Sequence, residues 1–438
     1  MNLSLSTAGR ISAHLPRPHN RISLRTSRRT YASAFSPFAE NDLVLVRPKA
    51  DPSATPILTK PLTADRRIET HRGTVSHNDI IGKSSRDLVR SSSGAEFSLH
   101  HVSLGEYVTL SKRLVTPIYP ADANLIASLF DIHVSPAAAS ADAEPSQSRL
   151  EILEAGTGHG SLTLHLSRAI HAANPPKPEQ SSVDSQASTT AGETSASGAT
   201  AGISESDDAL SAWRASRRAV LHTIDVSAKF SQHARKVVRG FRHGRYADNV
   251  DFHVGDVSQW VRDEFARRAS STQSSGDGSD SSPTPFLTHA FLDLPSTHSH
   301  LATVASALRT DGILIIFNPS ITQIAECMQK IKQEGIPLHL DQTLELGQNG
   351  TSGGREWDVR AVKPRAALKK EQAQVPISET GESESSSSEK EPVAASANTN
   401  DDNWALVCRP KVGDRITGGG FLGVFRKMKD RTRTVPPA

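Results

Sequence analysis

Arg149 to Ala173, RLEILEAGTGHGSLTLHLSRAIHAA, constrains the fold more than any other stretch of the chain. Leu150, Ile152 and Leu153 form an apolar run too short for a helix and bounded by glycines, which marks a buried strand. Gly156, Gly158 and Gly160 then make a turn that no side chain crowds. Beyond them Leu162, Leu166 and Ile170 recur every fourth residue, the apolar stripe of a helix. Strand, turn and helix in this order aim a helix N-terminus and bare backbone N–H groups at a ligand. Glycines between a strand and a helix also serve tight packing alone, and the motif by itself leaves both uses open.

The spacing G-x-G-x-G departs from the dinucleotide fingerprint, and an acid, Glu154, precedes the turn. A carboxylate there repels a pyrophosphate and suits the cationic methionine end of S-adenosyl-L-methionine, which favours a methyl donor over NAD.

Alternating strand and helix signals continue from this point. Ala219–Ile224 is the next expected strand, ending at Asp225, where nucleotide-type sites hold ribose hydroxyls. A helix over 227–238 leads into RGFRHGR. There Arg235, Lys236, Arg239, Arg242 and Arg245 make either a solvated face or a phosphate contact. Val250–Val254 runs into Gly255-Asp256, and His289–Leu292 into Asp293-Leu294-Pro295. Ile313–Phe317 runs into Asn318-Pro319, with helices expected around Leu301–Leu308 and Ile324–Ile331. Apolar strands separated by helices predict a parallel sheet covered on both faces. Each candidate polar residue then lies at a carboxyl end of a strand, the edge where open α/β sheets bind ligands. Trp357–Val362 and Trp404–Arg409 are expected to finish the sheet as an antiparallel pair, with a basic tail over 426–438.

The rest of the chain is dilute: 36% of its 438 residues are hydrophobic, and mean hydropathy is −0.40. Disordered insertions of polar, low-complexity sequence are expected at about 175–208, 270–285 and 363–403. Two cysteines, Cys327 and Cys408, exclude a disulfide framework and a cysteine-rich zinc site. No apolar run reaches membrane-spanning length, so no membrane partner is expected. Residues 1–39 lack Asp and Glu but carry Arg10, Arg17, Arg21, Arg25, Arg28 and Arg29 among serines, the make-up of a mitochondrial transit peptide. A basic arm for RNA contact or nuclear import is the alternative. Residues 40–115 are expected to form a small β-rich domain, with strands at Asp42–Val46, Gly73–Val75 and Glu106–Leu110. Its Arg66, Arg67, Arg72, Lys83, Arg86 and Arg90 suit a nucleic-acid substrate. Pro120 opens a helix that carries Leu125 and Leu129, with Tyr119 and Asp122 at its start.

Taken together, LEAGTGHGSLTLHL, HTIDVS, ARKVVRGFRHGRYADNVDFHVGDV, FLDLP and FNPSITQ resemble, in order and spacing, the catalytic subunits of tRNA (adenine-N1)-methyltransferases, which modify position 58 in the T-loop. IYPADANLI and REWDVRAVKPR are similar too, so the resemblance spans about 117–409. It implies a Rossmann-like, seven-stranded class I methyltransferase domain over 116–425, with S-adenosyl-L-methionine as cofactor and no metal. Gly156, Thr157, Gly158, Gly160 and Ser161 would approach the methionine portion, with Glu154 near its ammonium. Asp225 would hold the ribose and Asp256 the adenine amino group. Asp293 would be catalytic, accepting a hydrogen bond from N6, orienting N1 towards the methyl group and later taking a proton. Tyr119 would stack on the flipped base. The chain departs from the family at His159, in place of a small residue, and at Ser296-Thr297-His298, in place of an approach to an aromatic.

The resemblance further implies tRNA as partner. It also implies a homotetramer of the mitochondrial kind, or a heterotetramer with a non-catalytic homologous subunit in the nuclear kind. Rival readings are a methyltransferase acting on protein, rRNA or mRNA, and a non-catalytic tRNA-binding subunit.

Overall fold

The computed structural model describes residues 36–51, 54–136, 149–177, 201–273, 284–347, 357–362, 405–410 and 419–430. The arginine-rich segment up to residue 35 and the whole of the third expected insertion fall outside them.

The N-terminal part contains β1 (Val44–Pro48), β2 (Ile57–Leu58), β3 (Arg67–Thr70), β4 (Gly73–Ser76), β5 (Leu88–Arg90) and β6 (Glu96–His101). They form a four-stranded sheet of order β2-β1-β6-β5 and a β3–β4 ribbon. Phe38, Val44, Leu62, Val75, Ile80 and Phe97 fill the core beneath. Phe38 is 1% exposed, and its backbone pairs with Gly82 and Lys83, so the fold claims residues that a leader of 39 residues would remove.

The strand expected at Glu106–Leu110 is instead a helix, α1 (Leu104–Leu110). Ser103 and Glu106 form a reciprocal capping box, which satisfies orphan N–H groups and overrides the β-prone Tyr-Val-Thr composition. This helix joins the N-terminal module to the main domain. Tyr107 donates its buried hydroxyl to the Val237 carbonyl at 2.8 Å, and Leu45 shares a core with Tyr107 and Ile152.

The main domain comprises α2 (Pro120–Leu129), β7 (Leu150–Ala155), α3 (Ser161–Ala169), α4 (Ala201–Ser216), β8 (Ala219–Asp225), α5 (Ala228–Gly240), β9 (Val250–Val254), α6 (Val257–Gln273), β10 (Leu287–Leu292), α7 (Leu301–Ala307), β11 (Leu308–Asn318), α8 (Ile321–Glu334) and β12 (Leu338–Leu346), then β13 (Trp357–Val362), β14 (Ala405–Pro410) and β15 (Gly420–Lys427). Seven strands make one sheet of order β12-β15-β11-β10-β7-β8-β9, the class I methyltransferase arrangement. Successive residues point to opposite faces, as strand geometry requires. Ile152, Phe291 and Ile315 enter a core with α1, α2, α3 and α5, while Leu153, Leu292 and Ile316 enter another with α6, α7 and α8. Both faces are covered, as expected.

Three expectations are corrected. Among the described residues β13 and β14 pair only with each other, as an antiparallel ribbon apart from the sheet. The sheet is completed by β12 and β15, and β15 runs antiparallel to both of its neighbours. β12, LHLDQTLEL, alternates around charged residues at the sheet edge, a weaker apolar signal than that of Trp357–Val362. Arg426 and Lys427 therefore belong to an inner strand rather than a tail, and the Lys427 side chain is 2% exposed, paired with Asp430. The first two expected insertions are also partly helical, since α4 starts at Ala201 and α6 extends to Gln273.

Candidate active site

The turn after β7 is built on backbone geometry that only glycine adopts freely: φ is +95° at Gly156, +51° at Gly158 and +85° at Gly160. Two of the three are explained by packing. A β-carbon on Gly156 would collide with the Asp293 carbonyl, and one on Gly160 would press on Ala234 of α5. The tight-packing use of these glycines is therefore real. Gly158 donates its N–H to Asp225 Oδ2 at 3.0 Å, and Ser227 N donates to Oδ1 at 2.8 Å. One carboxylate thus ties the glycine turn to the start of α5.

Glu154, Asp225 and Asp293 converge here from the ends of β7, β8 and β10. Glu154 is 1% exposed, and its Oε2 accepts the hydroxyls of Thr163 and Thr223, each at 2.7 Å. Burial, reinforced by Asp293 and Asp225 and opposed by those two hydrogen bonds, raises its pKa to about 7. Its carboxylate is closed off from solvent, with both threonine hydroxyls already on one oxygen. Burial, and then the Asp225 charge, raise Asp293 to about 6. The Asp293 N–H is fixed on the Ala155 carbonyl at 2.9 Å.

Thr157 and Ser161 are buried structural members. The Thr157 and Thr223 hydroxyls meet at 2.7 Å, and Ser161 Oγ donates to the Ile118 carbonyl at 2.5 Å. Asp256 sits at the end of β9 and caps α6, accepting from Gln259 N at 2.9 Å, with its side chain 49% exposed. It adjoins Asp225 through the Gly255 N–H, which reaches the Asp225 carbonyl at 3.0 Å.

The segment before α2 lies over the turn. Val115 would touch a β-carbon on Gly158, and Ile118 receives Ser161. Tyr119, half-buried, caps α2 and lies under the Arg113 guanidinium, 5.6 Å from its ring centre. Asp122 is 3% exposed inside α2.

The two departures from the family pattern are accommodated. His159 packs edge-on against His233 at 5.5 Å and is 2% exposed, with burial lowering its pKa to about 4. Ser296 takes a left-handed conformation, φ +54°, and the Thr297 hydroxyl closes the loop on the Leu294 carbonyl at 2.7 Å. Thr297 also reaches Asn318 Oδ1 at 3.4 Å.

Sequence reasoning missed Val226 and Val254. They are 72% and 57% exposed, and they flank the Asp225–Asp256 edge, with Val254 opposite Asp225 in the β8–β9 register. Apolar groups left in water beside two carboxylates suit a flat heteroaromatic ring whose rim is polar. Their signal was an apolar residue at a strand's carboxyl end. The supporting Thr163 and Thr223 carried none. Among the described residues no three His, Cys, Asp or Glu side chains form a metal-binding group.

Fold and site together define a class I methyltransferase fold: a seven-stranded sheet with one reversed strand, carrying a carboxylate-lined glycine turn at its carboxyl edge. A crystal structure of an S-adenosylmethionine-dependent O-methyltransferase from Thermotoga maritima superposes on 91% of this chain and 97% of its own, with TM-score 0.52 and 15% identity. In sequence the chain is similar to the tRNA (adenine(58)-N(1))-methyltransferase TrmI of Thermus thermophilus, 27% identical over 290 residues, covering 66% of this chain and 78% of that protein. TrmI from a second strain of Thermus thermophilus matches to the same extent. No protein-family model matches the chain.

Proposed function

We propose that this chain transfers a methyl group from S-adenosyl-L-methionine to N1 of the adenine at position 58 of the tRNA T-loop. The observation that carries this reading is the convergence of the glycine turn with Asp225 and Asp293, in a chain whose curated relatives are named for that reaction. The glycine turn and Glu154 would hold the cofactor's methionine end, Asp225 its ribose hydroxyls and Asp256 its adenine amino group, with Val226 and Val254 beside the ring.

S-Adenosylmethionine supplies an electrophilic methyl group, so what the protein adds is placement. Asp293 accepts a hydrogen bond from N6 of the target base and turns N1 towards the methyl group. As N1 gains the methyl the base becomes cationic; the Asp293 carboxylate stabilises that charge and then takes the N6 proton, which leaves the methylated base neutral. Its raised pKa brings it close to neutrality, where a proton acceptor works well. Tyr119 stacks on the flipped adenine.

The basic face of the N-terminal module and the arginines around α5 suit a polyanionic substrate. We further propose a mitochondrial location, from the acid-free, arginine-rich residues before Phe38, and a self-assembled homotetramer. A heterotetramer with a non-catalytic homologous subunit in the nucleus is the alternative.

The test uses purified full-length chain, labelled S-adenosylmethionine and a tRNA transcript, with the modified position mapped by reverse-transcription stops. A stop at the T-loop adenine is expected. Cofactor binding with methylation of another RNA, or of none, would contradict the assignment.

A further inference from the structure

The site is acidic throughout, with Glu154, Asp225, Asp256 and Asp293 at one sheet edge, and yet its proposed substrate is a polyanion. A countercharge is needed where the nucleic-acid backbone passes the edge. Arg113 stands there. It is exposed, and it belongs to the 112–119 segment that lies over the glycine turn. Its guanidinium is fixed at both ends, donating to the Thr109 carbonyl at 3.1 Å and to Tyr119 Oη at 3.5 Å, above the Tyr119 ring. No carboxylate pairs with it among the described residues, whereas Arg47, Arg217, Arg268 and Arg426 all have acidic partners.

A merely solvated arginine costs nothing to leave loose. This one is held beside the Tyr119 ring by its hydrogen bonds to the Thr109 carbonyl and the Tyr119 hydroxyl, while it stays exposed. A guanidinium so oriented matches the oxygens of a phosphodiester, and its planar fork suits them better than a point charge does.

We propose that Arg113 binds the backbone phosphate that flanks the extruded adenosine, with Tyr119 holding both the base and the guanidinium. This rests on the reading of the chain as an RNA methyltransferase. It adds the contact that fixes the flipped nucleotide from its phosphate side and offsets repulsion by the carboxylates. Arg113 is a substrate-positioning group and touches neither the methyl donor nor N1.

The test measures tRNA binding and methyl transfer as a function of salt for the full chain, Arg113→Gln and Arg113→Lys. Glutamine keeps hydrogen-bonding capacity without charge. It should raise KM for tRNA about tenfold and lower the salt slope of binding by about one, while S-adenosylmethionine affinity stays unchanged. Lysine should restore the slope. A T-loop RNA with one neutral methylphosphonate beside the target adenosine should lose affinity in the wild type and lose no more with Arg113→Gln. Additive losses, or a wild-type slope in the glutamine variant, would overturn the proposal. If the wild type binds tRNA with an Arg113-dependent slope but transfers no methyl group, the functional reading fails while the phosphate contact stands. If it binds no tRNA, both fail.

Discussion

Gly156 and the main chain of Asp293 touch so closely that no side chain fits between them. The residue that starts the cofactor turn and the residue read as catalytic are thereby locked at one spacing, from strands that lie side by side in the sheet. Placement of this kind is what methyl transfer to a weak nucleophile asks of a protein.

Gly156→Ala should break that lock. The added carbon meets the Asp293 carbonyl, and φ of +95° costs a non-glycine residue a further 1–2 kcal/mol or so. Calorimetry should show cofactor binding lost and the melting temperature lowered. Wild-type affinity would mean that the turn does not hold the cofactor.

Asp225→Ala removes the acceptor shared by the Gly158 and Ser227 N–H groups, as well as the proposed ribose contact. Cofactor affinity should fall by about 10- to 100-fold, in keeping with about 1.5–3 kcal/mol for hydrogen bonds to a charged group. Asp225→Asn should recover part of this, because its amide oxygen still accepts. Asp293→Ala, by contrast, should abolish transfer and leave cofactor affinity near wild type, checked in the same titrations.

The pH dependence follows from Glu154 and Asp293. Both bind protons more tightly folded than unfolded, with pKa values of about 7 and about 6. Their ionisation is thus unfavourable in the folded state, and stability should fall as pH rises from the ordinary carboxylate range through about 7. Cofactor binding should run the other way. A sulfonium and ammonium beside carboxylates favour the ionised forms, so affinity should increase over the same window and the demethylated product should show the weaker trend. kcat/KM should rise through about pH 6, and Asp293→Asn should be too slow to follow that limb.

Far from the site, Glu151 is buried beneath α6. Burial pushes its pKa up, but hydrogen bonds from His222 and Arg268 outweigh this and hold it down at about 2. Arg268 Nη2 lies 2.6 Å from its Oε2. Arg268→Ala leaves a buried carboxylate short of one partner. It should destabilise the fold by about 2–3 kcal/mol, at the low end for broken buried pairs because Arg268 is partly exposed. Chemical denaturation measures this, and cofactor affinity should be unchanged.

Deleting residues 1–35 should leave the melting temperature intact, whereas deleting 1–39 removes Phe38 from the module core and should lower it by several degrees. Equal melting of the two forms would show that Phe38 contributes nothing.

The parallel half of the sheet was legible because each strand carries a short apolar run that leads into a polar residue at its carboxyl end, a pattern that burial on both faces favours. The last strands were not. The edge strand β12 is charged along its length, and β15 hides in a glycine-rich, basic sequence that reads as a tail. The more apolar Trp357–Val362 and its partner were mistaken for them. Within the site, Gly158 and the acids were readable from spacing. The sealing of Glu154 was not, since it depends on Thr163 and Thr223 reaching it from a helix and a neighbouring strand. The burial of His159 against His233 of α5 was equally hidden, since no local pattern shows that partner.

The central claim is that an adenine N1 receives the methyl group. It is tested most directly by incubating the full chain with S-adenosylmethionine and tRNA, digesting the RNA to nucleosides and identifying the methylated product by mass spectrometry. The account predicts 1-methyladenosine, absent when the T-loop adenine is replaced by guanine. N6-methyladenosine, a methylated pyrimidine, or no methylated nucleoside would contradict it.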